Sequence, residues 1–383
     1  MHKCKLSDCV KEINNRTTEN NQYEVLTSSK NGIFSQEEYF DKQVASKDNT
    51  GYKVIKKGQF TYRSMSDSGT FTINRLEDKD IGIVSPAYPV FEATNIDAEF
   101  LKYYFKSELF NKAIINLSQG STRTALKFKD LIDIEIYLPE IEEQKKIVKI
   151  LKNNDQIIEK YDKLIREKEQ FIKSQFVEML RKIKNIEYKK LEELVLFQNG
   201  INASAEKYGK GTKCISVMDI LNNSYIDYKL IKGSVEVTKE QSKNYEVSYG
   251  DILFVRSSEN LKDAGKSNIY TDKKIDAVFG GFVIRGKKNY QYNPYYINMA
   301  LKENTVRQQM MKYAAGTQHI NIGQENLKKV TVPICDLKIQ NTFEKLYKLI
   351  DKQKFNYINK IKLLNEIINI FLGGKKIWTK KYQ

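Results

Sequence analysis

Two segments of this chain, Glu140 to Ile183 and Asp336 to Leu372, contain neither proline nor glycine and repeat apolar side chains at every seventh position. In the first, Leu151, Ile158, Ile165, Ile172 and Met179 form one such column, and Ile150, Ile157, Leu164 and Phe171 form an adjacent one. In the second the column is Phe343, Ile350, Tyr357, Leu364 and Phe371. A strict heptad predicts a supercoiled helical seam, because a straight helix of 3.6 residues per turn would carry a drifting stripe. Each segment is bounded as a helix should be, by Pro139 before the first and Gly373-Gly374 after the second. At ~1.5 Å per residue each rod would be about 60 Å long. The competing arrangement is two amphipathic helices lying on separate globular cores.

The segments before and between the rods differ in character. Met1 to Leu138 and Asn185 to Pro333 are richer in Gly, Ser, Thr, Asn and Tyr. Short alternating runs such as Gln59-Phe60-Thr61-Tyr62 and Ile252-Leu253-Phe254-Val255 read as strands. Each segment closes with a helical stretch, Asp97 to Asn116 in one and Pro294 to Tyr313 in the other. The order is mixed α and β, then a long helix, twice over.

Landmarks recur in that order. Lys5-Leu6 is matched by Lys190-Leu191. The run Lys57-Gly58 to Arg63-Ser64 is matched by Tyr249-Gly250 to Arg256-Ser257. Gln119-Gly120-Ser121-Thr122 is matched by Ala315-Gly316-Thr317-Gln318, and Gln144 by Gln340. The shifts rise slowly along the chain, as expected of two divergent copies of one unit. The resulting division is a first head over 1–138, a long helix over 139–184, a second head over 185–334, a second long helix over 335–374 and a basic tail over 375–383. The fold class expected is α+β.

Charge narrows the partner. Lys and Arg number 64 against 48 Asp and Glu, a formal excess of +16, which favours a polyanion such as nucleic acid over an acidic small substrate. No apolar run approaches the ~20 residues of a membrane span, and Met1-His2-Lys3-Cys4 does not begin a signal peptide; a cytoplasmic protein is expected. The cysteines Cys4, Cys9, Cys214 and Cys335 are too scattered for a disulfide framework. His2, Cys4 and Cys9 are close in sequence but lack a fourth ligand, so reduced thiols and no metal are expected.

The repeated unit resembles the specificity subunit of type I restriction-modification systems. The resemblance rests on a Gly-(Ser/Thr) turn, a short helix carrying Asp130-Leu131 or Asn326-Leu327, a strand ending in Pro, a nearby Gln and a long heptad helix. Ile136-Tyr137-Leu138-Pro139 followed by Glu143-Gln144-Lys145-Lys146-Ile147 is especially similar to the family's entry into its long helix. In the second copy Asp336-Leu337-Lys338-Ile339-Gln340 stands where a Glu-Gln pair is usual. The resemblance covers nearly the whole chain. It implies two pseudo-symmetric target-recognition domains separated by a long antiparallel two-helix coiled coil, each domain reading one half of a split duplex DNA site. With no conserved helix expected before the first domain, the coil would use the central and carboxy-terminal helices alone. The implied partners are two methyltransferase subunits and restriction or translocase subunits. S-adenosylmethionine, ATP and Mg would sit on those partners, with no cofactor in this chain and no membrane.

Base reading needs donors at base edges, and separate cations or hydroxyls on phosphates to set the register. The first-copy candidates are Tyr62, Arg63, Ser64, Arg75 and the turn Gly120, Ser121, Thr122, Arg123. The second-copy candidates are Arg256, Ser257, Ser258, Lys262, Lys266 and the turn Gly316, Thr317, Gln318, His319. The small residue after each glycine would let backbone N–H groups approach a phosphate. The alternative for each is an ordinary polar loop residue on a basic protein.

Three motifs bear on catalysis. Asn260 to Gly265-Lys266-Ser267 echoes a P-loop, but Asn replaces the first Gly and Asn268-Ile269-Tyr270-Thr271 reads as strand instead of helix. Asn293-Pro294-Tyr295-Tyr296 echoes the Asn-Pro-Pro-aromatic motif of adenine methyltransferases, yet lacks the second Pro and reads as a helix start. Glu167 and Glu169 lie on the heptad helix without a paired strand Asp. A non-catalytic chain is expected. The other classes are a coiled-coil scaffold with two protein-binding heads, which predicts sequence-indifferent DNA affinity, and a self-contained DNA-modifying enzyme, which predicts S-adenosylmethionine binding by the chain itself.

Overall fold

A computed structural model describes residues 2–40, 48–66, 69–117, 124–184, 186–273 and 276–372. The two Pro-free segments are continuous helices, α1 (Ile141–Lys182) and α2 (Leu337–Leu372). The chain divides into two compact units, residues 1–163 with 357–383 and residues 164–356, so the division falls within both long helices. The basic tail lies outside the described residues.

In the first unit, the strand His2–Lys5 pairs antiparallel with Glu135–Leu138, setting Cys4 opposite Ile136. A four-stranded sheet has the order Val10–Glu12, Val90–Ala93, Phe60–Thr61, Asn74–Arg75. Helices Ala98–Lys106 and Glu108–Leu117 follow. Phe60, Phe91, Phe105 and Phe110 fill the core with ring contacts between 5.0 and 6.0 Å. Ile147, Val148 and Leu151 of α1 and Leu372 of α2 belong to that same core. Tyr161 stacks on Tyr357 at 5.4 Å, and Lys360 lies over the Tyr161 ring. As the position on α1 falls from Tyr161 to Leu151, its neighbours on α2 rise from Tyr357 to Leu372, so the two helices run antiparallel here.

The second unit repeats the plan. Glu187–Lys190 pairs antiparallel with Thr331–Ile334. Its four-stranded sheet has the order Val195–Asn199, Val283–Lys288, Ile252–Val255, Ser267–Ile269. Helices Pro294–Lys302 and Asn304–Tyr313 follow. Glu169 of α1 pairs with Lys354 of α2 at 2.7 Å, and the Phe176 ring meets Phe343 at 5.0 Å, again antiparallel. The buried positions Phe343, Tyr347, Ile350 and Lys354 alternate in steps of four and three, the spacing of a coiled-coil seam.

The predicted seam is therefore present, with one correction. Leu151 and Ile172 are buried and Ile158, Ile165 and Met179 half-buried, as are Tyr357, Leu364 and Phe371 on α2. The adjacent column is mostly turned outward: Ile150, Ile157 and Phe171 are 39%, 38% and 46% exposed, and Leu164 is half-buried. Successive helical residues point about 100° apart, so two neighbouring columns cannot both face a single partner helix.

The duplication extends to single hydrogen bonds. Gln144 Oε1 accepts from the backbone N–H of Asp97 at 2.8 Å while its Nε2 donates to the Pro139 carbonyl at 2.9 Å. Gln340 does the same with the Asn293 N–H at 2.8 Å and the Cys335 carbonyl at 2.7 Å. Asp97 and Asn293 each cap the helix that follows, accepting from two backbone N–H groups. Each buried glutamine thus fixes the start of a long helix to the capped end of its own head.

Candidate nucleic-acid interface

In the second head, the central strand Ile252–Val255 delivers the chain to Arg256, Ser257 and Ser258. Ser257 and Ser258 pair antiparallel with Asn321 and Ile320, and the Ile322 N–H donates to the Arg256 carbonyl at 3.0 Å. Ala315 and Asn321 exchange backbone hydrogen bonds of 3.0 and 2.8 Å, closing a loop whose tip is Gly316, Thr317, Gln318 and His319, all exposed. Gly316 has φ +139°, and a Cβ there would fall 2.0 Å from the His319 carbonyl oxygen, so the tip accepts only glycine at this point. The Gly265 N–H donates to the Val255 carbonyl at 2.9 Å, bringing the 260–266 loop beside the same strand end. The second-copy candidates thus come together at one strand end, from two segments distant in sequence, 256–266 and 316–319.

At that strand end the candidates differ in freedom. Lys262 is exposed, and its backbone is held by the Asn260 side chain at 2.9 Å. Lys266 pairs with Asp263 at 2.6 Å. Arg256 is half-buried, its Nη1 3.4 Å from the Gly281 carbonyl oxygen. Arg307 escaped the sequence reading: its guanidinium donates to the Lys262 and Ala264 carbonyls at 3.0 and 2.9 Å, tying the 260–266 loop to the helix pair. Burial lowers its pKa, with Asp263 opposing that shift. An Arg early in a helix after a capped turn was the only signal for it.

The first head builds the same strand end, with two corrections. Met65–Ser66 pairs with Thr124–Ala125, and the Leu126 N–H donates to the Ser64 carbonyl at 2.9 Å. By this register the counterpart of Arg256 is Ser64, and Arg63, which is exposed, sits one position earlier. Tyr62 is fully buried and donates its hydroxyl to the Leu126 carbonyl at 3.1 Å; burial pushes its phenol above the ordinary range. It is a core residue and not a DNA contact. Arg75 is likewise committed: it pairs with Glu99, lies 3.7 Å from Glu77 and donates Nε to the Gly58 carbonyl at 3.2 Å. Burial raises the Glu99 carboxyl, but Lys152, Lys102 and Arg75 outweigh it and hold the group below its usual range. Ser64 is half-buried. Gly120, Ser121, Thr122 and Arg123 lie outside the described residues.

The three motifs with a catalytic echo resolve structurally. Ser267–Ile269 is a strand, where a P-loop would begin a helix. Asn293 caps a helix through the Tyr295 and Tyr296 N–H groups. Glu169 is paired with Lys354. Cys4 and Cys9 bring their sulfurs to 3.8 Å, and burial, with Cys4 beside it, pushes the Cys9 thiol up to about 12. No helix among the described residues is long and apolar enough to cross a membrane.

Comparison with known proteins fits this geometry. Residues 4–167 match the family model for the type I restriction modification DNA specificity domain. The chain is 30% identical over 201 residues to the MjaIX type I restriction enzyme specificity subunit of Methanocaldococcus jannaschii, covering 44% of this chain and 43% of that one. It is 36% identical over 97 residues to the MjaVIII specificity subunit of the same organism, covering 25% and 21%. The matched stretches thus span less than half the length of the curated relatives. A chain in a solved structure concerned with assembly and conformational transition of the type I R-M system shares the fold, with TM-score 0.57 at 13% identity, covering 97% of this chain and 96% of that one.

The first copy matches the DNA specificity domain of type I restriction modification, and the whole chain, an α+β head joined to a long paired helix twice over, shares the fold of a chain from a type I R-M system. Over the stretches matched, the chain is similar to type I restriction enzyme specificity subunits.

Proposed function

We propose that this chain reads a bipartite, asymmetric duplex DNA sequence, one head per half-site, and positions two adenine methyltransferase subunits on it. The observation that carries this reading is the repeat itself: the same sheet order, the same glutamine-to-cap lock and the same strand-end pairing occur in each unit. A half-site per copy is the economical use of such a duplication. The antiparallel pairing of α1 and α2 would fix the half-site spacing, since half-sites on one face of B-DNA recur at about 34 Å per turn and a helix of 42 residues rises about 63 Å. Leu349, Phe355, Ile358, Leu363 and Ile370 are exposed on α2 and offer apolar anchors for partner subunits.

The chemistry would lie on the partners: S-adenosylmethionine on the methyltransferases, and ATP with Mg on restriction or translocase subunits. This chain would supply recognition without catalysis. Target adenines would be flipped toward the partner's pocket while the heads grip flanking bases.

Methylome sequencing of cells expressing this chain with a type I methyltransferase subunit tests the reading. The expected result is one methylated motif of two defined halves separated by a spacer of constant length. In Ile158→Lys with Ile350→Lys, which puts charge into the helix seam, the constant spacer should be lost. A single contiguous motif, or an unchanged spacing rule in the double variant, would overturn it.

A further inference from the structure

The second unit contains a cavity of about 420 Å³ that shares only Lys266 with the recognition candidates, within the range of about 300–1,000 Å³ typical of small-molecule sites. Lys302, Lys173, Lys354, Lys266 and Arg307 all line it, against a single carboxylate, Glu169. Several of these cations are spent: Lys354 on Glu169 at 2.7 Å, Lys266 on Asp263 at 2.6 Å and Arg307 on backbone carbonyls. Two are available. Lys173 is exposed and has no ion pair among the described residues. Lys302 donates to the Ser224 carbonyl at 2.9 Å and Asn268 Oδ1 at 2.6 Å, so its charged form has a third proton for a ligand.

A second observation points the same way. Ser267 is 5% exposed, and its Oγ is buried without a hydrogen-bond partner although the residue lines the cavity. An orphaned buried hydroxyl costs about 1–3 kcal/mol unless something completes it. Ile172, Ile220, Leu221 and Met299 give it an apolar wall, beside the polar Asn223, Ser224 and Asn268. The first head has no matching arrangement at the corresponding helix position, where Lys106 is exposed.

We propose that this cavity binds a small phosphate monoester, with Lys302, Lys173 and the Ser267 hydroxyl holding the phosphate and the apolar wall accommodating its organic part. An anion would also relieve the mutual repulsion of the lysines. Burial, together with the neighbouring Lys173 and Lys354 and despite Glu169, pushes Lys302 down to about 7, and a bound phosphate would restore its charge. The proposal is independent of which DNA sequence the heads read.

Isothermal titration of the full chain with inorganic phosphate and with adenosine monophosphate, at ionic strength held constant with chloride, tests it. Saturable one-site binding is expected, tighter for the monoester. It should weaken at least about tenfold in Lys302→Met and Lys173→Met, and about threefold to tenfold in Ser267→Ala. Lys173 is exposed and Ser267→Ala removes only an unpartnered oxygen, so these two variants decide the matter even if Lys302→Met fails to fold. A parallel titration with duplex DNA separates the sources of phosphate: the two variants should bind duplex as the parent does. Absence of saturable binding, equal binding by parent and variants, or a matching loss of duplex affinity would overturn the proposal.

Discussion

The two heads share a scaffold to the level of single hydrogen bonds, yet they spend their polar residues differently. In the first, the helix cap is Asp97, whose side chain serves two backbone N–H groups. In the second, Asn293 does the same and also donates its Nδ2 to Asn341 and Glu344 of α2. Burial pushes the Glu344 carboxyl up, but Lys348 and Asn293 together hold it below the usual range. Lys302 likewise turns into a cavity in the second head while Lys106, at the matching helix end, is exposed. The helix-to-head junction and sheet order persist, and the side chains grafted on them diverge. That is the pattern expected when duplicated frames carry independently chosen sites.

The largest test of this comparison is Phe176→Ala. Phe176 is 1% exposed and packs on Tyr296 and Phe343, so its loss should destabilise the second unit by about 3–5 kcal/mol in denaturant unfolding and split the transition in two. A single unshifted transition would contradict the packing account. Next in size are Gln144→Ala and Gln340→Ala, each stranding a backbone N–H and a carbonyl. Each should cost about 1–3 kcal/mol in all, by similar amounts in the two heads; strongly unequal losses would break the equivalence.

A pH profile separates the heads further. Because Lys302 is depressed to about 7 from 10.5, the unfolded chain binds more protons than the folded chain between those values. Its contribution therefore makes stability rise with pH across that window, with Lys173, Lys354 and Glu169 as the charges facing it. Lys302→Met should flatten that rise in urea melts taken from pH 7 to 10, and a parent-like slope would remove the buried amine from the account. The smallest effect expected is for Tyr62→Phe, which gives up one buried hydrogen bond, about 0.5–1.5 kcal/mol, and leaves duplex binding unchanged. A selective loss of binding at one half-site would restore Tyr62 as a contact.

Much of this was legible in the sequence, for identifiable reasons. The heptads announced α1 and α2 because seven-residue periodicity survives only where a helix faces another along its length. Gln144 and Gln340 were found as landmarks because they stand at the same offset from their heads, although their two-bond geometry needed coordinates. The loop residues around Arg256 and His319 were singled out as candidates because ordered landmarks transfer between copies, and the structure places the two loops side by side. Tyr62 failed because an aromatic beside a strand reads equally well as core or as surface, and only the Leu126 carbonyl above it decides. Arg63 was matched to Arg256 by residue type, and the strand register shows a slip of one position. Lys302 carried no local signal and Ser267 entered only as the end of a P-loop echo, since the cavity they line is made by elements far apart in sequence.

The central claim is that each head reads its own half-site, and the most direct test is a lesion confined to one loop tip. Equilibrium binding of a Gln318→Ala, His319→Ala variant should be measured on duplexes in which either half-site is randomised. The account predicts that discrimination at one half falls by about tenfold or more, roughly one lost base contact at about 1–3 kcal/mol, while the other half is read as before. Equal loss at both halves, or a uniform loss on every duplex, would contradict it.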